Sequence, residues 1–190
     1  MNSMSRWNKE LDLLNEFTRE HKLRRYGLSL YDIRPFVSSD AMLLDLVVRF
    51  LELTTEPAKT WDKKFHSYRM KHDMECYINI YVPNGVLIAG CYTMGYEVKK
   101  CYQKDDYPNA EFKMRYKKEY RRLFENRVKW STYELTDCFS NDIDQRSVDL
   151  YHKAIARIDR QIPYEIVNNF PANKVIQRLY NQKDGEIWKS

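Results

Sequence analysis

Two apolar, β-rich runs, Cys76-Tyr77-Ile78-Asn79-Ile80-Tyr81-Val82 and Val86-Leu87-Ile88-Ala89-Gly90-Cys91-Tyr92, flank a Pro83-Asn84-Gly85 step. Asn-Gly between two such runs is a strong hairpin signal, because both turn residues tolerate positive φ. The pattern therefore predicts two antiparallel strands in the middle of the chain. Gly95 marks a further bend, and Tyr96 to Tyr102 reads as a third strand.

Helical patterns surround these runs. Residues Ser5 to Arg25 place Trp7, Leu11, Leu14 and Phe17 or Thr18 at helical spacing, with Gly27 as the stop. Ser39 reads as a helix cap, Asp40 falls in the first turn, and the series Met42, Leu43, Leu44, Leu46, Val47, Val48, Phe50, Leu51 predicts the most buried helix, ended by Pro57. The stretch Leu28 to Phe36 reads as a short edge strand or an extended connection, and Lys59 to Lys71 as a connector with room for a short helix. Further along, the pattern predicts a helix over Asn109 to Asn126, a strand over Val128 to Leu135, a helix over Asp142 to Gln161 and a last short helix over Ala172 to Tyr180.

The predicted fold class is α+β in a single domain. It comprises an N-terminal helix (1–27), a helix-strand-strand-strand-helix-strand core with a mixed sheet flanked by helices (38–136), and a C-terminal helical extension (141–190). With 190 residues and 43% hydrophobic content, the chain has enough apolar surface to offset its ordering entropy.

Composition narrows the functional classes. No apolar run reaches the roughly 18 residues that cross a bilayer, and the first ten residues lack the apolar stretch of a secretion signal, so a cytoplasmic chain without a membrane partner is expected. Cys76, Cys91, Cys101 and Cys138 form no C-x-x-C pair, and the histidines are scattered; reduced thiols and no structural zinc follow. The net charge of +5 is modest, but Lys113, Arg115, Lys117, Lys118, Arg121, Arg122, Arg127 and Lys129 stand against only Glu119 and Glu125 between positions 113 and 129. Lys113, Lys117, Lys118, Arg121 and Arg122 are the candidate contacts to a nucleic-acid backbone. Gly-rich phosphate loops, nucleophile elbows and H-E-x-x-H are all missing from the sequence.

An acid-x-Lys triplet occurs at Asp62-Lys64, Glu97-Lys99 and Glu111-Lys113. Only Glu97-Lys99 lies on a predicted strand that follows a hairpin and precedes a basic helix. In that order of elements and in that triplet, the chain resembles the PD-(D/E)xK nuclease superfamily over about half its length. The resemblance implies a catalytic set of Glu97, Lys99 and Asp40, with Mg²⁺ held by Glu97 and Asp40. Asn84 stands where that family has Asp, a neutral oxygen in place of a carboxylate, with Asp73 and Glu75 as nearby substitutes. Phosphodiester hydrolysis needs hard oxygen ligands for the metal and a cation near the developing charge, which is the role implied for Lys99.

The expected function is therefore a nuclease-like nucleic-acid-processing or nucleic-acid-binding protein, in which Asn84 means either a rearranged magnesium site that still hydrolyses phosphodiesters or a fold kept without the reaction. Two other readings stand beside it. One is a non-enzymatic binding or inhibitory accessory protein, of the kind a virus or mobile element carries, acting through a protein partner. The other is plain nucleic-acid binding through the basic helix.

Overall fold

The computed structural model describes residues 7–28, 34–101, 109–125 and 138–160. Its organising element is α2 (Asp40–Thr54), in which Ala41, Met42, Leu43, Leu44, Leu46, Val47, Phe50 and Leu51 are all buried. A helix apolar on most of its circumference must be surrounded. Here α1 (Asn8–His21), α4 (Asn84–Thr93) and α6 (Gln145–Asp159) all pack on α2, and α3 (Ser67–Ile78) packs on α4 and α6. The exposed strip of α2 carries an Arg49–Asp45 ion pair one turn apart, 2.8 Å long.

The expected hairpin is not there. Residues up to Ile78 complete α3, Asn79 ends it in the left-handed region (φ 58°), and Asn84 begins α4 behind Pro83. The two apolar runs are thus the end of one helix and the body of the next. Continuous apolar runs of this length suit a buried helix as well as a buried strand, and periodicity alone cannot separate them. In α4 all residues from Asn84 to Cys91 are buried, so no polar face was available to betray the helical period.

The β structure is smaller than a mixed sheet. Two antiparallel pairs are formed, β1 (Thr55–Pro57) with β4 (Met114–Tyr116) and β2 (Val98–Lys100) with β3 (Ala110–Phe112). The order over the described residues from 40 to 125 is helix, strand, helix, helix, three strands, helix, which is α+β in the broad sense. The first half of the predicted 109–126 helix is β3 and β4, and only Lys118–Glu125 is helical (α5). Pro57 does not stop α2; the helix ends at Thr54, and Pro57 is the last residue of β1. Likewise α1 ends before Gly27, at His21, with Lys22 left-handed (φ 54°). The predicted strand over 128–135 and the helix over 172–180 lie outside the described residues, as do residues 29–33 of the predicted edge segment.

The glycines of the Pro-Asn-Gly and Ala-Gly-Cys steps serve close approach rather than turning. A Cβ at Gly90 would lie 2.2 Å from Val47 Cγ1, and one at Gly85 would lie 1.8 Å from the Arg24 carbonyl oxygen. Gly85 N–H also donates to Arg25 O at 2.9 Å, which ties the start of α4 to the turn that follows α1. Gly90→Ala is expected to destabilise the fold by about 1–3 kcal/mol, the usual cost of overpacking, read as a lower midpoint in urea unfolding.

Candidate functional site

The Glu97-x-Lys99 triplet lies at the β2–β3 pair, with both side chains exposed. Lys99 and Glu111 are direct register partners, with Lys99 Nζ 2.9 Å from Glu111 Oε2. Glu97 Oε1 accepts from Lys113 Nζ at 2.6 Å, and its side chain is 62% exposed. On the other pair, Glu56 and Arg115 face each other in register and bond at 2.7 Å. Opposite charges on facing strands are a stabilising arrangement in their own right. Glu97 and Lys99 thus belong to two separate cross-strand pairs, and neither pair includes another member of the implied metal set.

The other implied ligands sit elsewhere and are engaged. Asp40, at the start of α2, is buried; Val37 N–H donates to its Oδ2 at 2.9 Å, and Arg25 Nε lies 3.0 Å from the same oxygen and 3.2 Å from Oδ1. Burial lifts its carboxyl above the ordinary carboxylate value, against the opposing pull of the Val37 N–H and Arg25. Asp73, on α3, accepts the Tyr116 hydroxyl at 2.7 Å and has Arg69 Nε at 3.8 Å. Asn84 Nδ2 donates to Asn109 Oδ1 at 3.1 Å and reaches the Tyr26 carbonyl at 3.5 Å. Among the described residues, no three His, Cys, Asp or Glu side chains gather as a metal site would require. As placed, Glu97, Asp40, Asp73, Glu75 and Asn84 each bind a different neighbour.

Glu75 is the centre of a cluster that the sequence pattern missed. Its side chain is 0% exposed, and Oε1 accepts from Lys71 Nζ at 2.5 Å and from Val82 N–H at 3.0 Å. His72 Nδ1 lies 2.9 Å from Oε2. Tyr81 lies under Lys71 Nζ at 4.6 Å, and its phenol is pushed up to about 12 by burial first, then by Tyr26 and Glu75. Spacings of three and four residues, His72–Glu75 and Lys71–Glu75, are the signal for such a helix cluster. It went unread because residues from Glu75 onward looked like strand. The carboxylate fastens the 79–83 connection to α3.

The basic segment divides in two. Lys113 and Arg115 are committed to Glu97 and Glu56, and Lys117 Nζ donates at 2.6 Å to the Glu52 carbonyl in the last turn of α2. In α5, Tyr120 and Phe124 are buried, with the Phe124 ring stacked 4.6 Å from Tyr116, so the opposite side exposes Lys118, Arg121 and Arg122. Comparison with protein-family models, curated proteins and solved structures finds no match to this chain.

The contrast between these charged pairs is measurable. Glu75→Ala leaves a nearly buried Lys71 ammonium uncompensated and is expected to cost about 3–5 kcal/mol, whereas Glu97→Ala and Lys99→Ala each cost under about 1 kcal/mol in chemical denaturation. For Asp40, a raised folded-state pKa means that the folded state holds the proton more tightly. Its contribution to stability is therefore present below the ordinary carboxylate range and lost as pH rises through the raised value. Asp40→Asn is expected to flatten that part of the stability–pH curve.

Proposed function

We propose that this chain is a non-catalytic nucleic-acid-binding protein that grips the phosphate backbone with the basic face of α5. The observation that carries this reading is the anchoring of α5: burial of Tyr120 and Phe124 holds Lys118, Arg121 and Arg122 together on the solvent side. Lys118 and Arg121 form no ion pair among the described residues, so their charge is available to a polyanion. Phosphate neutralisation by such side chains releases condensed counterions, which supplies affinity without any base-specific contact. Hydrolysis is left out of the reading because Glu97 and Lys99 are held in different cross-strand pairs and Asp40 is sealed under Arg25.

Anisotropy titrations of labelled single-stranded and duplex oligonucleotides over a range of salt test it. Affinity should fall steeply with salt. The Lys118→Glu/Arg121→Glu double variant should bind at least roughly tenfold more weakly, and its log–log slope on duplex should be shallower by about 0.9 for each phosphate no longer neutralised. A double variant that is folded and binds like the parent chain would rule out α5 as the binding surface.

A further inference from the structure

A second surface has the chemistry to read unpaired bases. Trp61 is one of two large hydrophobic side chains exposed among the described residues, at 37%, and it lies in the connection between β1 and α3. The connection is pinned in place: Ala58 N–H donates to Lys113 O at 3.2 Å, Phe112 N–H donates to Phe65 O at 2.9 Å, and Phe65 is buried. Trp61 is therefore presented on a braced loop beside the β2–β3 pair. The ammonium of Lys99 stands 4.3 Å from the centre of its indole ring.

The loop itself is basic. Lys59 and Lys63 flank Trp61 in the loop, both exposed and neither in an ion pair among the described residues, while Lys64 pairs with Asp62 at 3.4 Å. An exposed indole on a loop that carries exposed lysines two positions to either side suits a polyanion that carries flat rings. Bases stack on aromatic side chains without regard to sequence, and neighbouring cations neutralise the phosphates between them. Duplex bases are already stacked on one another and offer no free face. Resting on the nucleic-acid reading above, we infer that Trp61, with Lys59 and Lys63, is a stacking site for an unpaired base, and that it gives the chain a preference for single strands.

The test compares Trp61→Ala, Trp61→Phe and the parent chain for binding to a labelled oligothymidine and to a duplex of equal length at one salt concentration. Trp61→Ala should weaken oligothymidine binding by about tenfold while leaving duplex binding within about twofold, and Trp61→Phe should restore most of the loss. The side chain is partly exposed, so matching far-ultraviolet spectra and melting curves will show that the variants fold. Equal binding of oligothymidine by Trp61→Ala and the parent overturns the stacking site, and loss of both ligands together overturns its selectivity. If the α5 double variant loses both ligands while Trp61→Ala loses neither, the general reading stands and this one falls. A parent chain that binds neither ligand at low salt removes both.

Discussion

The close approach of α4 to α2 is the constraint on which the rest of the structure depends. Gly90 allows it, because any side chain there would enter the space of Val47. With α4 against α2, the Pro83-Asn84-Gly85 step is drawn beside Arg24 and Arg25, where Gly85 again leaves no room for a Cβ. Two glycines on one helix thus fix its position against both a neighbouring helix and the turn after α1.

Buried polar groups then fasten the connections around that core. Asn109 Oδ1 accepts from both Asn84 and Ser67, and Ser67 Oγ in turn accepts from Ala110 N–H, so the start of β3 is tied to the starts of α3 and α4. Asp40 holds the segment before α2, and Glu75 holds the one between α3 and α4. Arg157 of α6 donates to the Ile78 carbonyl at the end of α3. Carboxylates and amides that look like ligands in a linear reading here fasten loops, as most buried polar groups are hydrogen-bonded. Lys118 and Arg121 of α5 and Lys59 and Lys63 of the Trp61 loop lie outside these networks among the described residues.

Legibility in the sequence followed exposure. The helices α1, α2 and α6 have a polar face, and their apolar spacing placed each one to within a few residues at most ends. The α3–α4 pair was misread because its apolar runs are buried on every side, so the one signal left was Asn-Gly, which marks a turn in a hairpin but here begins a helix. The β3–β4 strands were hidden for a related reason. Phe112, Tyr116 and Tyr120, spaced by four, mimic a helical stripe, while the alternating burial of Met114, Arg115 and Tyr116 becomes visible only when β1 pairs alongside.

By itself the sequence determined the amphipathic helices, the dense apolar face of α2, the absence of long apolar spans and the concentration of positive charge after residue 112, because each is a local property of composition and spacing. Tertiary structure decided which charges are paired and which remain open to solvent. Glu97 and Lys99 are two residues apart in the chain, yet one is matched to Lys113 and the other to Glu111 by strand register. Trp61 and Lys99 are brought together although 38 positions separate them. Electrostatic pairing depends on distance in space, and for residues far apart in sequence that distance is set only by how the helices and strands pack.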